Sequence, residues 1–212
     1  MSPEDNFGHS IANIGDVNGD GIVDIAVGAS QQDRGPFAAD LETGAAYVIF
    51  LDTDGTTKSI QKIDESNGNF TDALNKNDRF GWALASPGDL NGDGIPELAV
   101  SAPNKDDGGQ DRGAVWILYL NNDGTILSQQ KISSTAGNFP TTASLGSRDK
   151  FGSALSNAGD LNDDGVLDLL VGARHDDDGD TDQGAVWVLY LNANGTVPVS
   201  YTHLTLPTSY AV

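Results

Sequence analysis

The chain has 212 residues, a formal net charge of −20, 26 glycines and no cysteine. The negative charge argues against nucleic acid and anionic membrane surfaces as partners, because both would be repelled. The absence of thiols excludes disulfides and zinc–thiolate sites, and no apolar run approaches the length of a membrane span. Short apolar stretches between Gly and Asp clusters predict an all-β protein.

The chain repeats one unit three times. Each copy begins with a Phe-Gly pair, continues with an Asp-rich loop and then enters an apolar run. Phe7 and Phe80 lie 73 residues apart, and Phe80 and Phe151 lie 71 residues apart. Self-similarity at a nearly fixed period indicates a repeat architecture.

The second half of each copy predicts a β-hairpin. A Gly-Ala pair opens an apolar run that contains Tyr47, Trp116 or Trp187, and an Asp-Gly or Asn-Gly turn follows it. These dipeptides favour hairpins because both central positions of the turn must accept a positive φ. Each copy therefore contains four short strands, which we place in the second copy at about 80–86, 97–102, 114–121 and 125–133.

Four-stranded units at a fixed period are typical of β-propeller blades. We predict an all-β fold, a β-propeller fragment of about three four-stranded blades, with blades at residues 1–70, 71–140 and 141–198. A β-helix would have a much shorter period, and a sandwich would not repeat so closely. Because a propeller needs at least about four blades to close, we expect further blades of the same chain to be missing. The equivalent aromatic residues are expected to pack blade against blade.

Residues 199–212 differ in character from the repeats. The run from Val199 to Thr208 reads like the translation of a transposase-based sequencing adapter. We therefore interpret residues 199–212 as an artefact and leave them out of functional reasoning. The alternative is a genuine terminal strand with alternating Tyr201, His203 and Leu204.

Each copy carries the pattern Asp-x-Asn-x-Asp-Gly-x-x-Asp/Glu, with oxygen-bearing side chains at loop positions 1, 3, 5 and 9. Ca²⁺ prefers roughly six to eight oxygen ligands, and alternation lets one tight loop direct three side chains to a point. The glycine permits the sharp turn, and the position-7 carbonyl can join the shell. The predicted calcium ligands are Asp16, Asn18, Asp20, the Ile22 carbonyl and Asp24 in the first loop; Asp89, Asn91, Asp93, the Ile95 carbonyl and Glu97 in the second; and Asp160, Asn162, Asp164, the Val166 carbonyl and Asp168 in the third.

Other interpretations of the loop are less suitable. An EF-hand needs an acidic residue at position 12 and flanking helices, but that position is Val27, Val100 or Val171 and lies in a β-type run. A simple polar turn would explain one copy, whereas three copies in register favour calcium. Magnesium is less suitable because it keeps its waters. Glu97 replaces Asp at position 9, and its longer side chain is expected to weaken the second site.

These motifs resemble the FG-GAP repeat, the unit of integrin α-subunit propellers and of many bacterial surface and secreted proteins. The resemblance covers residues 7–198 and implies a calcium-stabilised propeller outside the cytoplasm. It also implies a role in adhesion or in recognition of an unknown protein or carbohydrate ligand. A period longer than that of integrins and near-identical copies resemble the bacterial members. The first residues show no signal-peptide pattern.

We expect a non-enzymatic module; the alternative is the non-catalytic propeller part of an extracellular enzyme such as a polysaccharide lyase or a phospholipase. Outside residues 199–212 the only histidines are His9 and His175, too few for a catalytic zinc site, and no nucleophile elbow is present. A second acidic loop follows the second strand of the second and third copies and includes Asp106, Asp107 and Asp176; the first copy instead has Asp33, Arg34, Asp40 and Glu42 there, so the feature is not uniform. We expect a solvated connection there, with a partner-facing surface or a further cation site as the alternative.

Overall fold

A computed structural model describes residues 4–33, 41–139, 145–177 and 181–198, together with the backbone of residues 202–205. Among these described residues, no helix has the length and apolar character that a membrane span requires. The strands are β1 (Phe7–Gly15), β2 (Asp24–Ala29), β3 (Ala45–Leu51), β4 (Thr57–Ile63), β5 (Leu84–Gly88), β6 (Glu97–Ala102), β7 (Ala114–Leu120), β8 (Ile126–Ser133), β9 (Phe151–Gly159), β10 (Asp168–Ala173), β11 (Ala185–Leu189) and β12 (Thr202–Thr205).

The strands form three antiparallel sheets in which neighbours in sequence are neighbours in space. We refer to β1–β4 as sheet 1, β5–β8 as sheet 2 and β9–β12 as sheet 3. Each sheet coincides with one copy of the sequence repeat, so the prediction of an all-β protein built from propeller blades is confirmed. The exact limits of the blades, at residues 70, 140 and 198, remain predictions.

The fourth strand of sheet 3 comes from the segment interpreted as an adapter. The backbone of Thr202–Thr205 pairs antiparallel with β11, and the other residues beyond 198 lie outside the described part of the chain. An open sheet edge accepts any extended segment through backbone hydrogen bonds. This pairing therefore does not test the adapter interpretation, which remains a prediction.

The first strand of sheet 2 begins later than the sequence predicts. β5 starts at Leu84 rather than at residue 80, because the N–H groups of Gly81 and Trp82 both donate to the Ser101 carbonyl and interrupt the regular ladder. Phe80 itself forms a parallel bridge with Gly44, next to β3. Gly81 then adopts a φ of +83°, and its N–H donates to the Ser101 carbonyl at 3.0 Å. The Phe-Gly pair thus joins one sheet to the next, and regular pairing with β6 begins after it.

Alternating residues of the central strands bury opposite faces of each sheet, as the two-residue side-chain period requires. On β3, Val48 and Phe50 lie in a core shared with Trp116 and Leu118 of β7. The opposite face of β7, including Ile117, shares a second core with sheet 3. These two larger apolar cores therefore lie between successive sheets, as in stacked blades.

The equivalent aromatic residues follow this arrangement in sheets 2 and 3. Phe80 and Trp116 meet edge to face with ring centroids 5.6 Å apart in the core between sheets 1 and 2. Phe151 and Trp187 meet at 6.2 Å in the core between sheets 2 and 3. Blade-to-blade packing is therefore confirmed for these two pairs. Tyr47 lies in a smaller cluster made only of sheet 1 residues.

Candidate metal centre

The three Asp-rich loops occupy the same place in their sheets, between the first and the second strand. The residue that precedes loop position 1 pairs directly with the acid at position 9. These pairs are Gly15 with Asp24, Gly88 with Glu97, and Gly159 with Asp168. Strand pairing therefore brings the two ends of each nine-residue pattern together, so that its polar side chains belong to one closed loop.

The aspartate at position 1 organises the loop by accepting backbone hydrogen bonds. Asp89 Oδ1 accepts from the N–H groups of Gly92 and Asp93 at 2.8 and 3.1 Å, and its Oδ2 accepts from Gly94 at 2.8 Å. Asp16 makes the equivalent three contacts. Such contacts hold a carboxylate near the loop centre before any ligand binds.

The third loop differs at position 4, where Asp163 replaces the glycine of the other two loops. Asp163 adopts a φ of +59°, close to the +75° of Gly19 and the +77° of Gly92. Aspartate tolerates this left-handed conformation better than most residues, so the turn is kept and one more carboxylate is added.

Positions 3 and 5 repeat the same local turns in all three loops. In the second loop, Asn91 Oδ1 accepts from the Asp93 N–H at 2.8 Å, and Asp93 Oδ1 accepts from the Ile95 N–H at 2.8 Å. The equivalent contacts form at residues 18–22 and 162–166. These side chains are exposed or half-buried, so oxygen lone pairs remain accessible at the loop surface.

Position 9 is fully buried in every copy, but its contacts differ. Asp24 uses both oxygens, accepting from Val17 N–H at 3.0 Å and from Leu51 N–H at 3.1 Å. Asp168 does the same with the equivalent residues Leu161 and Leu191, at 2.8 and 3.1 Å. This carboxylate therefore tethers the first loop to the end of β3 and the third loop to the residues that follow β11. Burial raises the pKa of both acids.

Glu97 behaves differently because its side chain is one methylene longer. Its Oε2 accepts from the Leu90 N–H, whereas its Oε1 is buried and has no hydrogen-bond partner. Burial raises the pKa of Glu97 to about 7, and the negative charges of Asp89 and Asp93 add to the rise. A buried carboxylate oxygen without a partner is costly, and a bound cation would compensate it.

The second loop is also the one place among the described residues where three acidic groups converge. One oxygen each from Asp89, Asp93 and Glu97 lie within 4.8 Å of one another. The donor set contains only oxygens, which suits a hard cation such as Ca²⁺. The residues present therefore fit a calcium ion in this loop.

Two features of the loops were not recognised from the sequence. One is the convergence of three acidic groups in the second loop; the expectation that Glu97 weakens calcium binding there stays a prediction. In the first loop, Lys58 donates to Asp20 Oδ2 at 2.7 Å and lowers the pKa of that carboxyl. The equivalent position in the second copy is Leu127, so an alignment of the copies contains the signal for this difference.

The second acidic loops use their carboxylates to fold the loop. Asp33 Oδ1 accepts from the N–H groups of Leu41 and Glu42, and Asp106 Oδ1 accepts from the Asp111 N–H. Asp107 binds Lys131 at 2.7 Å. These contacts give the described part of the loops a structural role; Asp40, Asp178 and Asp180 lie outside the described residues.

His9 and His175 do not belong to the Asp-rich loops. The ring of His9 packs on Trp82 with centroids 4.4 Å apart, and burial together with the charge of Arg79 lowers its pKa. His175 Nδ1 contacts Asp182 at 3.3 Å. Both side chains therefore have local structural partners.

The three successive sheets define a β-propeller repeat protein. Phe-Gly pairs join the sheets, and each sheet carries an acidic loop between its first two strands. The pattern of the FG-GAP repeat matches residues 7–49, 80–118 and 151–189. The chain belongs to the FG-GAP repeat family.

Its relatives include integrin α-subunits. The chain is 32% identical to integrin alpha-PS2 of Drosophila melanogaster over 81% of its length, 37% identical to integrin alpha-IIb of Mus musculus over 79%, and 34% identical to integrin alpha-11 of Homo sapiens over 79%. The matched regions cover only 12%, 15% and 12% of these relatives, respectively. The similarity therefore concerns the propeller repeats.

Proposed function

We propose that the chain is a calcium-stabilised recognition module of a cell-surface or secreted protein, serving adhesion or the binding of a protein or carbohydrate ligand. The observation that carries this proposal is the convergence of Asp89, Asp93 and Glu97 around a buried oxygen that has no partner. Membership of the FG-GAP family and similarity to integrin α-subunits support the recognition role and the location. We propose that the module is itself non-enzymatic.

The proposed calcium ligands are the five oxygen donors of each loop at positions 1, 3, 5, 7 and 9. The position-1 aspartates are already held by backbone N–H groups, so little side-chain ordering remains for binding. A bound calcium ion neutralises the carboxylates, which otherwise repel one another. Because the loop ends lie on paired strands, this neutralisation stabilises the junction of the first two strands in each sheet.

The proposal extends to the setting of the module. We assign the blades to residues 1–70, 71–140 and 141–198, with further blades supplied by the same polypeptide in a longer protein. The repeat period of 73 and 71 residues supports a bacterial rather than an integrin-type member.

Calcium titration combined with thermal melting tests the metal assignment. A ligand that binds only the folded state adds about 2.7 kcal/mol per site when its free concentration is about 100 times Kd. We expect calcium to raise the melting temperature and an equal concentration of magnesium to raise it much less. A melting temperature that does not change with calcium would overturn the assignment.

Binding of the purified chain to glycan and protein arrays, with calcium or with EDTA, tests the recognition role. We expect binding that requires calcium. Turnover of a polysaccharide or a phospholipid by the same preparation, abolished by a point substitution, would instead show that the module is an enzyme.

A further inference from the structure

Lys58 contacts the first Asp-rich loop from outside that loop. It lies on β4, and its Nζ donates to Oδ2 of Asp20 at 2.7 Å. Asp20 stands at position 5 of the loop and is one of the five proposed calcium ligands there. A protein cation and the proposed metal ion therefore share one carboxylate.

The two oxygens of Asp20 have different roles. Oδ1 accepts from the Ile22 N–H at 3.0 Å and closes the local turn. The equivalent bond forms at position 5 of the second and third loops, at 2.8 Å in each, so this oxygen folds the loop in every copy. Oδ2 is then the oxygen left to bind a cation, and in the first loop Lys58 holds it.

The other two loops place a neutral group on this oxygen. Oδ2 of Asp93 accepts from the side-chain amide of Asn91 at 2.9 Å, and Oδ2 of Asp164 accepts from that of Asn162 at 2.9 Å. An amide carries no net charge and does not repel an incoming cation, whereas an ammonium group does. The first loop therefore differs from its two equivalents in electrostatics, although its oxygen donors stand at the same positions.

The cause of this difference is one position on the fourth strand. Strand pairing skips Lys58 between Thr57 and Ser59 in sheet 1, and it skips Leu127 between the two equivalent residues in sheet 2. Both side chains are exposed. The third copy has Pro198 at the same distance from its Asn-Gly turn. Of the three copies, only the first carries a basic residue at this position.

Lys58 can leave Asp20 without disturbing a core. The side chain of Lys58 is 49% exposed and that of Asp20 is 22% exposed, so solvent screens their attraction. Beside them opens a cleft of about 300 Å³, whose lining includes Ser59, Asn122 and Asp123. A displaced lysine has water and polar groups available in this cleft. Lys58 therefore opposes a calcium ion in the first loop but does not exclude it.

We propose, on the basis of the calcium sites proposed above, that Lys58 competes with calcium for Asp20. The lysine lowers the affinity of the first loop for calcium, because binding must displace an ammonium group as well as bring two positive charges close together. The first loop then fills at a higher calcium concentration than it would with the leucine of the second copy. Lys58 is in this sense a residue that sets affinity and is not itself a metal ligand.

A calcium titration that resolves the three loops tests this role. The backbone amide signals of Gly21, Gly94 and Gly165, at position 6 of each loop, report separately on the loops in NMR spectra of the whole chain. When calcium is limiting, the three occupancies give the ratios of the dissociation constants, whatever the absolute values are. We expect Lys58→Leu to raise the affinity of the first loop by about 1.5- to 5-fold, the range of an exposed ion pair, and to leave the other two loops unchanged.

Three matched variants separate charge from other effects. Leu127→Lys places an ammonium group beside the second loop and should weaken calcium binding there by a similar factor, with no change in the first loop. Lys58→Arg keeps the charge and should leave the first loop close to the wild type. Lys76→Leu removes a charge from an exposed position in the connection between sheets 1 and 2 and should change the affinity of none of the loops.

The titration also distinguishes failure of the metal assignment from failure of the role of Lys58. Glycine signals that do not respond to calcium in any loop would overturn the metal assignment, and the role of Lys58 with it. Responses in the second and third loops, together with a first loop of equal affinity in the wild type and Lys58→Leu, would overturn the role of Lys58 alone. A first loop that binds no calcium in either protein would do the same.

Discussion

Substitution of Glu97 by glutamine separates the cost of a buried carboxylate from its value as a calcium ligand. Glu97 is fully buried, and its pKa rises from 4.5 to about 7 in the folded protein. Below pH 4.5 the group is protonated in both the folded and the unfolded states and has no effect on stability. Between pH 4.5 and 7 the unfolded chain loses this proton while the folded protein keeps it. The free energy of unfolding therefore falls as pH rises through this window.

The size of the fall follows from the two pKa values. The difference between 4.5 and about 7 corresponds to about 3 kcal/mol, reached near pH 7 and constant above it. Glu97→Gln keeps the length of the side chain and an acceptor for the Leu90 N–H, but it carries no charge. In EDTA at pH 8 we expect this variant to be up to about 3 kcal/mol more stable than the wild type, and equally stable near pH 4.

Calcium should reverse this order. The bound cation compensates the charge of Glu97 in the wild type, so the loss of stability between pH 4.5 and 7 should disappear with saturating calcium. The glutamine variant has lost a charged ligand and should gain less from calcium. The expected result is therefore a variant that is more stable than the wild type in EDTA and less stabilised by the metal.

Urea denaturation followed by tryptophan fluorescence, at pH values from 4 to 8 with EDTA or calcium, measures both effects. Glu4→Gln is the control, because Glu4 is exposed and should show neither. If the wild type and Glu97→Gln keep a constant difference in EDTA across this pH range, the reasoning from the buried carboxylate is wrong.

Three further substitutions test the packing. Gly113→Ala places a Cβ atom 2.1 Å from the Phe151 carbonyl oxygen, whereas Gly55→Ala meets nothing within 4 Å; denaturation should show the first to be about 1–3 kcal/mol more destabilising. Phe151→Ala removes a fully buried ring and should cost about 3–5 kcal/mol in the same assay. Lys105→Met removes the ammonium group 2.7 Å from the buried Asp78 carboxylate. This substitution should lower the free energy of unfolding by about 3–5 kcal/mol. Adding Asp78→Asn in the same chain should restore most of that loss. A double variant no more stable than Lys105→Met would contradict the ion-pair explanation.

The sequence by itself determined the repeat, the strand content and the positions of the Asp-rich loops. These features depend on local physics: alternation of side chains along a strand, the positive φ of Asp-Gly and Asn-Gly turns, and oxygen-bearing residues at every second position of a loop. The second strand of the second copy, predicted at 97–102, is observed at Glu97–Ala102. Its limits were predictable because the acid at one end and the small residues at the other are both local signals.

Only the tertiary structure decided which residues far apart in sequence come into contact. The Phe-Gly pair of the second copy is predicted to start a strand, but that strand begins at Leu84. Phe80 instead bridges to Gly44 beside the preceding sheet, a contact that no local pattern reveals. The free oxygen of Glu97 depends on which backbone N–H groups its side chain reaches, and the Lys58–Asp20 contact depends on how β4 is placed beside the first loop. Each depends on sheet register and side-chain length across residues far apart in sequence, and these are fixed only when the sheets pack together.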